Sequence, residues 1–592
     1  MRTRNPNRIS LILVLAIVAL GVIWIVFSRY AAPALIKSAY HGGSWHIFNG
    51  MISGQASHPL EEYLSDWEEL SWYLLLIFSV TGLSVVLAIR HMKLIPQIDT
   101  YPGLVSFAQK PAGKVLCLAV FAAGLVLLRE PLWLELTAIL ALMTFLPQYR
   151  RICLTFSTLY WLIIHPAWNR WNIIGTVARR EGVEAALNIP LLQVLMGLVV
   201  ICFCGAVAHV FFRWNHSPLT KRPVLALHVF YILLLLSACY GPFSGQWRVL
   251  LWTFLVCLGS YFWYFGYTLV DQSSKGRDPY SLQLGTYRPM WNGSWFVPTP
   301  FVKGAAYLRK IEAKNPQELA VTQLKGIKLL YWVLLLSVVL ALFTQTVHDF
   351  RHAQGSALLN KTLKLAGMHL PLQLGIPVFE DALARSVARK PYPWYTCWAS
   401  LITVFFKNML AMSVWGNQIV ACCRMAGFRA LRNTYRPLES KTIAEFWNRY
   451  YFYFKEVLVD FYFYPTYTRY LKGYRRARLF AATLAAACFG NMFFQFIRNL
   501  NYIWDLGLWK TLLGFHVYAF YAFVLGTGIA ISQLRSRNAV PQSPHWFRDR
   551  ILPSMSVVLF YSLLTIFNDW APTTYPITER FSFLAHLFAF WS

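Results

Sequence analysis

The sequence predicts an all-α, polytopic integral membrane protein with about 11–13 membrane helices, and three observations carry that prediction. Of 592 residues, 57% are hydrophobic and only 13% charged, too apolar a balance for a soluble globule. Long charge-free runs recur: Ile9 to Phe27, Ser71 to Ile89, Asn188 to Phe212, Val249 to Val270, Leu329 to Val347, Thr511 to Gln533 and Ile551 to Asn568. At a rise of about 1.5 Å per residue each can cross a hydrocarbon core of about 30 Å. The runs are continuous rather than alternating, which excludes a membrane β-barrel.

Shorter apolar segments at 115–128, 131–147, 152–166, 223–241, 397–423 and 479–497 complete the set, some short enough to be tilted or re-entrant. The formal charge of +29 does not indicate nucleic acid, because the basic residues lie in short loops between spans rather than on one face. Arg2, Arg4 and Arg8 precede the first run, and Glu61, Glu62, Asp66, Glu68 and Glu69 follow it. By the positive-inside rule the N-terminus is expected in the cytoplasm, on an uncleaved helix, with the chain in the plasma (inner) membrane. The ten cysteines sit in or beside apolar segments with no ligand spacing, and no motif for a bound cofactor, phosphate loop or metal is present. His348 and His352 form an i, i+4 pair without a third ligand, which reads as a solvated helix end, and His209 and His228 are isolated within apolar runs. The loop carrying His41, His46 and His58 with Trp45 offers polar contacts to a saccharide or an interfacial packing role.

Composition divides the chain into an N-terminal multi-span region (1–270), a polar segment rich in Gly, Pro, Ser and Trp (271–315) and a C-terminal membrane core (316–592). The most informative stretch of that core is 436–465, RPLESKTIAEFWNRYYFYFKEVLVDFYFYP. Trp447, Tyr450, Tyr451 and Phe454 recur at i, i+3, i+4 and i+7, the stripe of one helix, and the segment is expected to run as an aromatic-faced helix to a turn at Pro465. Around it, 429–478 holds eleven Lys and Arg against four carboxylates, which places it on the cytoplasmic side. Arg449 is expected to pair with Asp460 or Glu445.

Glu445, Phe446, Trp447, Arg449, Asp460 and Pro465 fall in the spacing of the signature of the membrane-bound O-acyltransferase family, which this segment resembles. Weaker matches at 295–336 and at 401–437, where Ser413, Gly416, Gly427, Phe428, Asn433, Arg436 and Pro437 follow the family's order, extend the resemblance over about residues 295–535. The family's signature His falls on Tyr451, and its second, membrane-embedded His falls on Gly490, beside Asn491. A tyrosine, with a pKa of about 10, is a poor base at neutral pH. His516, in an apolar helix after a small-residue turn, is the expected substitute base, with Tyr451 and Asn491 lining the same cavity. Trp447, Arg449, Tyr450 and Asp460 are the expected substrate-binding residues.

The resemblance implies transfer of an acyl group from a thioester donor to a hydroxyl on a lipid or cell-surface polysaccharide. The absence of both family histidines implies an alternative, a catalytically degenerate homologue serving as scaffold or partner subunit in a cell-envelope assembly. A lipid or glycan transporter is the third reading, for which no pair of broken-helix repeats is seen.

Overall fold

The computed structural model describes residues 101–164, 173–273 apart from 215, 216 and 218, 304–347, 376–536 and 552–589, with isolated positions between 23 and 64. Nearly all of the run 9–27, the run 71–89, the histidines of the 41–58 loop, the His348/His352 pair and most of the polar segment 271–315 lie outside these residues. The principal helices are α1 (Pro111–Leu127), α2 (Trp133–Phe145), α3 (Arg150–Ile164), α4 (Ile189–Arg213), α5 (Pro223–Tyr240), α6 (Gly245–Ser273) and α7 (Pro316–Val347). They continue with α8 (Trp394–Met425), α9 (Ile443–Tyr450), α10 (Phe452–Leu458), α11 (Arg475–Leu484), α12 (Asn491–Arg498) and α13 (His516–Ser536). Among the described residues Glu312 and Phe428 form an isolated antiparallel bridge.

The chain is an all-α polytopic integral membrane protein. Seven helices among the described residues are long and apolar enough to cross a membrane, and an eighth arises if Pro102–Gln109 and α1, bent by 96° at Lys110, form one span. The apolar helices Trp133–Phe145 and Leu552–Phe567 are shorter than a full crossing.

The described chain divides into two compact units, each discontinuous in sequence. In the first (1–105, 331–414 and 581–592) the C-terminal helix is tied down by polar contacts. The Trp398 indole N–H donates to the Leu587 carbonyl at 2.9 Å, His586 Nε2 meets the Tyr392 carbonyl at 2.7 Å, and Phe379 packs edge-on against Phe583. The second unit (106–330 and 415–580) is organised on α6, against which α4 and α5 pack. In the most apolar stretch of α6, 78% of residues are buried, against 33% and 28% in α4 and α5, so α6 is the inner helix and its two neighbours turn faces outward. Local sequence sets their starts: the Asn188 side chain accepts from Leu191 N at the head of α4, and Pro223 opens α5 with the fixed φ a first turn needs.

The signature segment departs from the single helix its periodicity predicts. Thr442 caps α9 by accepting from Glu445 N, while the Glu445 carboxylate reaches back to Lys441 N, a reciprocal cap. The helix then breaks at Tyr451, whose φ of −139° and ψ of 68° are not helical. The cause is the segment 433–435, which supplies partners to both helix ends. Thr434 Oγ1 donates to the Tyr450 carbonyl and Tyr435 N to the Arg449 carbonyl, while the Asn433 carbonyl and side-chain oxygen accept from Phe452 N and Tyr453 N. Nor does the helix end in a turn at Pro465. A π-helical turn (Val459–Phe463) leads into Tyr464–Arg469, with proline in the first turn where its missing N–H costs nothing. A second π turn (Ala485–Gly490) joins α11 to α12 within one span, Arg475–Arg498.

Candidate functional site

The two π turns meet. An added Cβ on Gly490, the last residue of the second, would lie 2.5 Å from Cδ2 of Tyr462 in the first, so glycine is what lets the two backbones approach. π turns tilt carbonyls out of the helical ladder and concentrate at functional sites.

The Tyr462 hydroxyl points to His228 Nε2 at 2.8 Å. His228 lies in the second turn of α5, and its Nδ1 is 2.7 Å from the Val224 carbonyl one turn earlier. A carbonyl only accepts, so Nδ1 carries the proton, and in the neutral ring Nε2 is the acceptor toward which Tyr462 donates. The imidazole is 6% exposed and ringed by aromatics, with the Phe493 centroid at 4.4 Å, Phe262 edge-on at 5.0 Å and Trp263 at 6.2 Å. Among the charge types a membrane interior tolerates, a neutral histidine with both nitrogens bonded is the least costly, and one retained there marks a functional candidate.

A second polar cluster joins α12 to α13. Tyr518 donates to the Asn491 Oδ1 at 2.9 Å and accepts from Gln495 Nε2 at 3.3 Å. Asn491 is buried, with its side-chain oxygen bonded within the core. Tyr451 is buried too, its ring 5.1 Å from Phe454, which in turn meets Phe494 of α12 edge-on at 4.6 Å. A chain of rings thus joins Tyr451 to the helix that carries Asn491.

His516 does not join them. It opens α13 as an exposed residue with Nδ1 bonded to the Leu513 carbonyl at 3.0 Å. Two positions along a helix turn a side chain by about 200°, so with Tyr518 directed at Asn491, His516 projects from the other side of α13. The expectation of His516 as the base beside Tyr451 and Asn491 is corrected on that ground.

The predicted substrate-binding residues divide. Trp447 and Tyr450 are half-buried, Tyr450 stacked on Phe446 at 5.1 Å, and burial pushes its phenol above the usual range. Arg449 pairs with Glu445 at 2.7 Å and Glu439 at 3.6 Å. Of the two partners foreseen for it, Glu445 is realised, whereas Asp460 accepts from the Tyr267 hydroxyl at 3.1 Å. Arg449 and Glu445 thus brace one turn of α9, and Asp460 ties the π turn to α6.

By sequence, His228 is named only as an isolated histidine within an apolar run, and Tyr462 is not singled out. The available signal was an ionisable residue inside an apolar run, together with the one tyrosine of the signature two residues past Asp460. Among the described residues no group of three or more His, Cys, Asp or Glu side chains is arranged to hold a metal ion. No family model matches this chain, and no curated protein matches its sequence.

Proposed function

We propose that the chain is a membrane-embedded O-acyltransferase-like protein in which His228, acting through Tyr462, takes the place of the base. It would move an acyl group from a thioester donor to a hydroxyl on a lipid or cell-surface polysaccharide. One observation carries the reading: the His228–Tyr462 pair abuts Gly490, the position on which the family's membrane-embedded histidine falls. As the acceptor oxygen attacks the thioester carbonyl, its proton passes to the Tyr462 oxygen while the phenolic proton moves to His228 Nε2, and the thiolate leaves. The Val224 carbonyl holds the ring in the tautomer that keeps Nε2 free to receive it. The site is proposed to lie in the plasma membrane with the N-terminus and the basic segment 429–478 in the cytoplasm.

The test is transfer of labelled acyl groups from a thioester donor to the lipid and polysaccharide fractions of membranes that contain the protein. His228→Gln and Tyr462→Phe should each abolish the protein-dependent transfer while the protein remains in the membrane. Undiminished transfer by both variants would end the reading.

One observation favours the degenerate homologue acting as a scaffold or partner subunit. Both nitrogens of His228 are already bonded, inside a ring of aromatic side chains. On that reading wild-type membranes transfer no label above background, and His228→Gln changes only stability.

A further inference from the structure

A cavity of about 790 Å³ lies away from the buried pair, between the first turn of α3 and the first turn of α7. That is within the range of about 300–1,000 Å³ typical of sites for small molecules. Its lining is strongly cationic: Lys114, Arg150, Arg151, Arg309 and Lys314 surround it, with Glu312 the one carboxylate. The first turns of α3, entered through the turn Pro147–Tyr149, and of α7, capped by the Asn315 side chain on Glu318 N, border the same space.

Arg150 is the built part of the site. Its side chain is 2% exposed, yet it lines the cavity, and its Nε has no hydrogen-bond partner. Nη1 is shared between Glu312 Oε1 and the Ala313 carbonyl, both at 3.3 Å, long for charge-assisted bonds. Gly427, at a φ of +94°, makes room for the guanidinium: an added Cβ would stand 2.9 Å from Cζ of Arg150. The Glu312–Phe428 bridge and the bonds Arg429 N to Ile311 O and Ala313 N to Gly427 O then fix the wall that carries Glu312. Burial pulls the Arg150 guanidinium below the usual arginine range against the raising effect of Glu312, and a further anion would offset that cost. Glu312 is also held by Arg151 at 2.9 Å, so one carboxylate is divided between two arginines while Lys314 is exposed at the rim.

We infer that this cavity binds the phosphate groups of a small molecule or of a lipid headgroup, with Arg150 at its floor and Arg151 and Lys314 at its mouth. Phosphate oxygens satisfy a planar guanidinium in two directions at once, which the single shared Nη1 contact to Glu312 does not. The inference does not depend on acyl transfer, since none of its residues belongs to the His228–Tyr462 pair.

The test uses the full chain in nanodiscs of phosphatidylcholine. Calorimetric titration with pyrophosphate and with ADP measures the soluble source, and the melting temperature in discs with and without phosphatidate measures the lipid source. Saturable binding of a soluble probe, weakened about tenfold or more in Arg151→Gln/Lys314→Gln and by added salt, supports a soluble ligand. A phosphatidate-dependent rise in melting temperature that this variant loses supports a headgroup. Arg150→Lys, which keeps the charge and removes the planar fork, should weaken whichever probe binds while leaving the melting temperature of the unliganded protein close to wild type. Absence of both effects, or effects of the same size in Arg151→Gln/Lys314→Gln and wild type, would overturn the inference.

Discussion

The hydroxyl of Tyr462 and Nε2 of His228 stand 2.8 Å apart, across 234 residues of chain. This bond joins α5 to the signature segment and leaves neither ring nitrogen of His228 unbonded. Tyr462→Phe removes the donor and strands Nε2 in an apolar surround. The expected cost is about 1–3 kcal/mol, the penalty for a buried polar group without its partner. In a double-mutant cycle read by thermal denaturation, His228→Phe and Tyr462→Phe should cost less together than the sum of the single changes. Simple additivity would show that the two groups do not interact.

Gly490→Ala tests the approach of the π turns. The new methyl would meet the Tyr462 ring at 2.5 Å and the Leu458 side chain at 3.0 Å, and Tyr462 is held by its bond to His228. Overpacking of this kind costs about 1–3 kcal/mol. A melting temperature equal to wild type would mean that the turns separate without penalty.

Glu130 gives a pH-dependent prediction. It sits buried between α1 and α2, with Oε2 accepting from Gln418 Nε2 at 2.7 Å and Oε1 without a hydrogen-bond partner. Burial raises its pKa above the usual carboxylate range, opposed by the bonds from Gln418 and the Leu132 backbone. A raised carboxyl pKa means that the folded state holds the proton more tightly than the unfolded one. The favourable contribution is therefore present in acid and is lost as pH rises from the unfolded value, about 4.3, through the folded one. Glu130→Gln should stabilise the protein at pH 7–8 by on the order of 1 kcal/mol. The gain should shrink toward pH 4, as melting curves across that range would reveal.

Arg449→Ala should have a small effect. Its side chain and that of Glu445 are 29% and 34% exposed, so the ion pair is screened and contributes less than about 1 kcal/mol. A loss of 3 kcal/mol or more in chemical denaturation would instead mark the pair as buried in the membrane-embedded protein.

Spans were legible in the sequence because a long charge-free run leaves the backbone few alternatives in lipid: Asn188–Phe212 appears as Ile189–Arg213 and the segment 223–241 as Pro223–Tyr240. Grouping of the aromatic stripe was legible as well, since Trp447 and Tyr451 both meet Phe454. Its interruption was not. The break at Tyr451 is imposed by hydrogen bonds from residues 433–435, and a periodicity within 447–454 contains nothing about a partner upstream. His228 was visible as an ionisable residue in an apolar run, but its pairing was illegible for the same reason at greater range. Its partner lies in another span, so no local spacing marks it, whereas His516 stood in a suggestive local pattern and faces outward.

The π turn at Ala485–Gly490 closes its hydrogen bonds over five residues rather than four and so accommodates one residue more than an α turn. The span is therefore tolerant of a length change at that one place. Losing a single residue there would convert the turn to α and leave α11 and α12 each internally intact. The same loss inside α12 would swing every later side chain by about 100° and take Gln495 away from Tyr518. Any comparison of this chain with a relative one residue shorter in this span must accordingly open its gap between Ala485 and Gly490, and the residue then found opposite Tyr462 decides whether a histidine in that relative occupies the space that glycine leaves here.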